Sequence, residues 1–136
     1  MKAVLFDAVG LPLTVGERAV PEPAEDEVLL RIAACGICGS DLHMTEDPKT
    51  FGLNRYDVLG HEFAGEVIRC GSAVSGLKPG DRVAVAPMRG CGACDSCRKG
   101  EPAWCAEMEL IGGGYAEFAT VAARQCRILP DDLPIE

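Results

Sequence analysis

The sequence predicts a mainly β domain, organised as a barrel or a sandwich, and three observations support this class. Short segments of apolar and β-branched residues recur along the chain, with polar stretches between them. Sixteen glycines and nine prolines supply many turns. Helical periodicity is scarce, since only residues 40–44 suggest a single helical turn, with Ser40 as its N-cap. We therefore expect one domain, residues 1–136, with its own core.

The predicted strands follow one another with turn residues between them. The clearest one covers residues 27–34 and alternates between two faces, as in a half-buried strand. Val28, Leu30, Ile32 and Ala34 lie on one face, and Glu27, Leu29, Arg31 and Ala33 lie on the other. The remaining predicted strands cover residues 2–9, 11–15, 63–69, 82–86, 116–122 and 126–129.

Composition and charge exclude several classes of partner. The net charge of -8 disfavours contact with a phosphate backbone, and 5% aromatic residues offer no stacking surface for bases. The sequence contains no apolar run near the ~20 residues of a membrane helix. The mildly apolar start, MKAVLFDAVGLPLTV, is interrupted by Asp7, Gly10 and Pro12 and lacks a cleavage pattern. We expect no nucleic-acid or membrane partner and a cytoplasmic location.

A lobe at about residues 90–106 is rich in cysteine and has no apolar periodicity, so burial alone cannot stabilise it. Its cysteines follow the pattern C-x2-C-x2-C-x7-C, which is typical of a closed tetrahedral zinc site whose binding supplies folding free energy. Two disulfides, an iron–sulfur cluster and a DNA-reading zinc ribbon are alternatives, and we favour a structural zinc. The four predicted ligands are Cys91, Cys94, Cys97 and Cys105.

A second group of reactive side chains lies in residues 35–43 and 60–62, and it includes both histidines of the chain. Cys38 with His61 suggests a metal pair, whereas Asp41 alone could be a helix cap and Glu62 an ordinary charge at a strand end. Cys35 and Cys38 form a weak C-x-x-C redox pattern, and we interpret Cys35 as a small apolar residue instead.

Four motifs in order give a specific resemblance: CGICGSDLH, GHEFAGEV, GLKPGDRVAV and the cysteine lobe. Together they resemble the zinc-dependent medium-chain dehydrogenase/reductase family, the alcohol dehydrogenases. The resemblance implies a GroES-like catalytic domain, which is a partly open β-barrel with few short helices and a zinc-bound cysteine lobe. It also implies zinc-assisted hydride transfer from a small alcohol to NAD or NADP, or the reverse reaction on a carbonyl compound.

The resemblance also implies roles for single residues. Cys38 and His61 would hold the catalytic zinc, with Glu62 beside it as an alternative ligand. Asp41 would accept the second ring N–H of His61 and fix its tautomer.

A proton route is implied in addition. Ser40 would take the proton of the substrate alcohol, and His43 would stand at the outer end of the relay.

The resemblance stops before the family's third zinc ligand, for which Glu62 and the terminal Glu136 are the nearest candidates. The Gly-rich residues 111–117 fail the dinucleotide fingerprint, because Glu117 takes the place of its third glycine, and we interpret them as a close-packed turn. We therefore expect a truncated chain that is incomplete alone and reaches its NAD or NADP through a missing Rossmann domain, as a partner domain or in a homo-oligomer.

Two other functions stay open at this point. The chain could be a non-catalytic, zinc-stabilised binding or assembly module, or half of a split enzyme. A thiol redox switch through Cys35 and Cys38 is a weaker hypothesis.

Overall fold

The computed structural model describes residues 1–133 and 135. Most of the ordered elements are short strands, joined by three short α-helices and two 3-10 turns. In chain order they are β1 (Lys2–Leu5), β2 (Thr14–Glu17), β3 (Glu27–Cys35), α1 (Gly39–Glu46), α2 (Pro48–Phe51), β4 (Phe63–Cys70), β5 (Arg82–Val85), β6 (Met88–Arg89), α3 (Asp95–Arg98), a 3-10 turn (Pro102–Trp104), β7 (Glu109–Leu110), β8 (Phe118–Ala122), a 3-10 turn (Ala123–Gln125) and β9 (Cys126–Ile128).

One antiparallel sheet with the strand order β8-β3-β4-β5-β9 forms the body of the domain. Its edge strands, β8 and β9, are joined through the Ala123–Gln125 turn and do not pair with each other in the described residues. The mainly β class with few short helices is therefore confirmed, and the sheet is curved and open, as a partly open barrel requires.

The core lies where alternate residues of the central strands point to the same side of the sheet. Leu30 and Val28 of β3, Val67 of β4 and Val83 of β5 are each 0% exposed. The alternation within residues 27–34 is only partly followed, because Leu29, on the opposite face of β3, is also buried. Both faces of this part of the sheet are covered.

The β1–β2 ribbon attaches two loops to one end of the sheet. Isolated bridges join Ala3 to Ala116 and Leu5 to Val58. These contacts bring residues 58–62 and the Gly-rich residues 112–116 side by side. Both loops reach the candidate site described below.

Several boundaries differ from those predicted. Strand β1 ends at Leu5 and β2 begins at Thr14, so the two N-terminal strands are shorter and more widely separated. The single turn predicted at residues 40–44 is the eight-residue helix α1, which begins at Gly39 with Cys38 as its N-cap. Ser40 as N-cap is wrong, because Asp41 accepts the Cys38 N–H at 2.9 Å and the helix therefore starts earlier.

Two helices and one small ribbon were not predicted from the sequence. These are α2, which Asp47 and Pro48 initiate, α3 inside the cysteine lobe, and the β6–β7 pair. None of the helices in the described part of the chain has the length and apolar character needed to cross a bilayer.

Candidate metal centres

The four cysteines of the lobe converge on one point. The Sγ atoms of Cys91, Cys94, Cys97 and Cys105 all lie within 4.8 Å of one another. All eight cysteines of the chain are free thiols rather than disulfides. Four sulfur donors around one point form the donor set that a tetrahedral structural zinc requires.

Backbone N–H groups point at two of these sulfurs. Cys91 Sγ accepts from the N–H of Ala93 and of Cys94, each at 3.4 Å, and these bonds hold the pKa of Cys91 at about 7. Cys105 Sγ accepts from the N–H of Cys91 and of Glu107, also at 3.4 Å each. N–H donors favour the thiolate over the thiol, and the thiolate is the form that binds metal.

Arg124 connects the lobe to the body of the domain. Arg124, in the turn before β9, donates to the carbonyl of Gly90 at 3.0 Å and to the carboxylate of Asp26 at 2.8 Å. Its guanidinium therefore joins the start of the lobe to the loop before β3.

A second cluster gathers around the start of α1. One donor atom each from Cys38, His61 and Glu62 lies within 4.8 Å of the others. His61 is buried, whereas Glu62 is exposed. Gly36 makes room for Glu62, because a Cβ at this position would lie 3.1 Å from Glu62 Oε2. Thiolate, imidazole and carboxylate are the ligand types of a catalytic zinc site.

Asp41 lies beside the ring of His61, on the side of Nδ1. It is 5% exposed, and its Oδ1 has no hydrogen-bond partner, although His61 Nδ1 lies 3.5 Å away. A buried carboxylate oxygen without a donor is costly. An Nδ1–H on His61 would satisfy it, and this tautomer leaves Nε2 free to bind a metal. The orphaned oxygen therefore fits a metal at His61 Nε2.

The two residues of the predicted proton route lie in different environments. Ser40 Oγ is 3.2 Å from His61 Nε2, at the edge of the ligand cluster. The His43 side chain is 72% exposed and lies 3.8 Å from Glu46, and no hydrogen bond joins it to Ser40 among the described residues. The structure therefore brings Ser40, Asp41, Cys38, His61 and Glu62 together and leaves His43 at the surface.

A cleft of about 270 Å³ opens beside the cluster and is lined by Asp41 and His61. Most of its other lining residues are apolar: Met44, Phe51, Leu53, Val58, Leu59, Leu110 and Ile111. Tyr56 is not among the lining residues, and its ring lies under the guanidinium of Arg55. The cleft fits a small, largely uncharged molecule.

Two further features singled out in the sequence, the Gly-rich segment and Cys35, lie outside the two ligand clusters. The Gly-rich segment is the close-packed turn that was predicted, with Gly113 and Gly114 donating to the carbonyls of Val58 and Gly60. Burial raises the pKa of Cys35 to about 11, which disfavours a redox role. Glu136, the alternative third ligand, lies outside the described residues.

Sequence analysis missed three residues that shape the site. They are Gly36, which leaves space for Glu62, Tyr115, whose hydroxyl contacts Asp41, and Arg124, which holds the lobe. The turn chemistry around Tyr115 was visible in the sequence, but nothing there linked it to a helix 74 residues earlier.

Comparison with known families gives one match over most of the chain. The model of the alcohol dehydrogenase GroES-like domain matches residues 24–131. This range contains every predicted ligand of the two clusters except the terminal Glu136.

Individual relatives agree with the family match. The galactitol 1-phosphate 5-dehydrogenase of Escherichia coli (strain K12) is 42% identical, over 100% of this chain and 40% of the relative. The crystal structure of an NAD-dependent alcohol dehydrogenase superposes with a TM-score of 0.91 at 32% identity, over 100% of this chain and 41% of that one. The structure of a Sinorhizobium meliloti 1021 protein, named as a zinc-binding dehydrogenase and bound to NADP, superposes with a TM-score of 0.84 at 36% identity. The match covers 98% of this chain and 40% of that one. The chain thus spans about 40% of the length of the relatives it matches.

Proposed function

The chain belongs to the zinc-type medium-chain alcohol dehydrogenase family, as its GroES-like domain, and on this premise we propose that it forms the zinc-binding catalytic part of an alcohol or polyol dehydrogenase. The observation that carries the proposal is the convergence of Cys38, His61 and Glu62 beside the cleft that Asp41 and His61 line. The cysteine lobe, residues 90–106, holds a structural zinc. The domain itself covers residues 1–136.

Three donors at one site suit a catalytic rather than a structural zinc, because a catalytic zinc keeps one position for substrate. A bound zinc supplies Lewis acidity, which makes an alcohol hydroxyl easier to deprotonate. Cys38 and His61 are the principal ligands in this proposal. Glu62 is the third ligand or exchanges with substrate, which suits its exposed position.

The surrounding side chains orient the ligands and move the proton. Asp41 holds His61 through Nδ1, which keeps Nε2 unprotonated and facing the cluster. Ser40 Oγ, 3.2 Å from Nε2, accepts the proton of the substrate hydroxyl. His43 lies three residues further on the same helix and is exposed, and it would be the outer end of this route once Ser40 is connected to it, since no hydrogen bond joins the two in the described residues.

The substrate pocket within this chain favours an uncharged alcohol. Among the described residues that line the cleft, none is Lys or Arg, and both charged ones are acidic, Asp41 and Asp57. The E. coli relative is named for a phosphorylated polyol, and a phosphate group would need cationic partners. We therefore expect this chain to favour alcohols without phosphate, unless cations come from outside it.

The nicotinamide cofactor belongs to the rest of the whole enzyme in this proposal. The relatives extend well beyond the matched 40%, and solved relatives are named as NAD-dependent or as bound to NADP. We expect NAD or NADP to reach the cleft from such a Rossmann domain, on the same chain or on a partner subunit. The association into a homo-oligomer stays a prediction.

A chimera tests the proposal. The segment of the E. coli galactitol 1-phosphate 5-dehydrogenase that aligns with this chain is replaced by residues 1–136, and alcohol-dependent reduction of NAD and NADP is measured over a panel of alcohols and polyols. We expect zinc-dependent turnover, strongest with substrates that carry no phosphate. Cys38→Ser is the matched negative variant, and Cys70→Ser, outside both clusters, is the control.

Two results would contradict the proposal. One is a folded chimera that binds cofactor and zinc yet turns over no alcohol or polyol. The other is full turnover after Cys38→Ser, which would show that Cys38 is not a zinc ligand.

A further inference from the structure

Tyr115 is held rigidly at the end of the Gly-rich turn. Its backbone N–H donates to Leu59 O at 3.0 Å, and its carbonyl accepts from Val4 N–H at 2.8 Å. Its ring packs against Gly60, where an added Cβ would lie 2.6 Å from Tyr115 Cδ1. Backbone and ring are therefore both fixed, and the hydroxyl has one direction.

The hydroxyl of Tyr115 points at the carboxylate of Asp41, which lies next to the candidate ligand His61. Tyr115 Oη lies 2.8 Å from Asp41 Oδ2 and 3.3 Å from the carbonyl of Gly36. A phenol has one proton to donate, and the shorter, charge-assisted bond to the carboxylate is the stronger. Burial, together with the bond to Asp41, raises the pKa of Tyr115, so the hydroxyl stays a donor at neutral pH.

Two donors meet at the same oxygen of Asp41. Its Oδ2 accepts from Tyr115 and also from the backbone N–H of Cys38 at 2.9 Å. The terminal torsion of an aspartate is broad on its own, so two donors from different directions restrict the carboxylate plane. This leaves Oδ1 facing His61 Nδ1 at 3.5 Å.

We propose that Tyr115 is a positioning residue for the Cys38–His61 metal site, because its hydroxyl fixes the carboxylate of Asp41 that orients the His61 ring. This inference rests on the proposed zinc site. Among the described residues, Tyr115 is neither one of the candidate ligands nor a lining residue of the cleft. It connects the Gly-rich turn to the metal, so the packing of that turn contributes to metal affinity.

The test compares Tyr115→Phe with the unchanged chain in a titration with cobalt(II), whose absorption reports thiolate ligation. One equivalent of zinc first fills the cysteine lobe, and cobalt then reports the second site. Cys38→Ser identifies the signal of that site. Phe keeps the ring that packs on Gly60, so only the hydroxyl is lost. We expect about a tenfold weaker affinity at the second site.

Tyr56→Phe is the matched control, because Tyr56 is the other of the two tyrosines of the chain and its ring stacks on Arg18 and Arg55. We expect no change in either metal affinity. Asp41→Asn provides the second comparison. If Tyr115 acts through Asp41, Tyr115→Phe has little further effect once Asp41→Asn is present.

Each other outcome overturns the inference in a recognisable way. Equal second-site affinity in Tyr115→Phe and the unchanged chain overturns the role of Tyr115 alone. A loss of the same size at the cysteine lobe, or full additivity with Asp41→Asn, shows that Tyr115 acts through the fold instead. If the unchanged chain binds no second metal, the proposed function fails and the inference fails with it.

Discussion

At the scale of single residues, the close approach of Gly60 to Tyr115 explains a glycine just before the ligand His61. Gly60 has φ +84°, and an added Cβ would meet the tyrosine ring. Gly52 has a similar φ of +67° but has no atom within 4 Å of an added Cβ. An added side chain would meet backbone strain at both positions, but it would meet steric overlap only at Gly60.

We predict that Gly60→Ala is more destabilising than Gly52→Ala. Both replacements incur the cost of an L side chain at positive φ, about 1–2 kcal/mol, and only Gly60→Ala also displaces the tyrosine ring. The free energy of unfolding in urea measures the difference. Gly60→Ala is also expected to weaken the second metal site. Equal destabilisation by the two variants would contradict the packing described here.

The Cys35 thiol gives a second residue-scale prediction. Its pKa of about 11, raised chiefly by burial, means that little thiolate exists at pH 8. Alkylation of Cys35 in the folded chain should be on the order of 100-fold slower than that of an exposed cysteine, and it should accelerate as the pH rises towards that pKa.

Mass spectrometry of iodoacetamide-treated protein at several pH values measures this rate. The fully unfolded chain supplies the reference rate for an exposed thiol. Rapid labelling at pH 8, or a reversible Cys35–Cys38 disulfide, would restore the redox hypothesis.

Groups of candidate ligands could be proposed from the sequence where the spacing within a motif is typical of a metal site. The four cysteines of the lobe and the Cys38–His61 pair were named from motifs, and the structure brings both groups together. Tyr115 was out of reach, because its partner Asp41 is adjacent only after β1, β2 and both loops have packed. Contacts between distant segments leave no local pattern in a single sequence.

At the scale of elements, the cysteine lobe and the sheet differ in what stabilises them. Within residues 90–106 only Gly90 and Cys105 are buried, whereas β3 and β4 supply a continuous apolar core. We therefore expect the lobe, unlike the sheet, to depend on a bound metal.

We predict that a strong chelator unfolds the lobe and leaves the sheet intact. Resistance to trypsin at Arg98 and Lys99, which both lie in the lobe, reports the state of the lobe. Far-ultraviolet circular dichroism reports the strands. Loss of this resistance with an unchanged strand signal is expected, and zinc should reverse it.

Cys97→Ser should reproduce the chelated state without chelator, and Cys70→Ser, outside the lobe, should not. Joint loss of both signals would show that the lobe and the sheet unfold as one unit. That result would contradict a separately stabilised lobe.

Strands were easier to predict than helices for a physical reason. Alternation marks β4 and β5, because one face of each packs on the core, and it marks β3 in part, because Leu29 on its other face is buried too. Helices α2 and α3 have four residues each, too few for any periodicity. The start of α1 was placed late because a cysteine, rather than a serine, occupies the N-cap.

At the scale of the whole molecule, the curved sheet carries two metal-ligand clusters with different supports. The cysteine lobe joins it through Arg124, and the Cys38–His61–Glu62 cluster lies where β3, α1 and the Gly-rich turn meet. The cleft beside the second cluster gives that site access to a small molecule. A cluster of four cysteines without a cleft suits a structural metal, and a cluster of three donors beside a cleft suits a catalytic one.

The mainly β class and the family followed from the sequence, whereas the substrate did not. Pocket residues such as Leu53, Val58 and Leu110 come from loops whose positions depend on the assembled fold. The acidic net charge of -8 and the lack of Lys and Arg among the described residues that line the cleft both support the proposed preference for uncharged substrates.

Zinc per chain in carefully desalted protein tests the central claim most directly. We predict about two zinc ions per unchanged chain, and about one for either Cys38→Ser or Cys97→Ser, since each variant removes a thiolate ligand from one of the two sites. Elemental analysis measures all three proteins under the same conditions. A single zinc in the unchanged chain that Cys38→Ser leaves in place would contradict the catalytic site, and no zinc at all would contradict both.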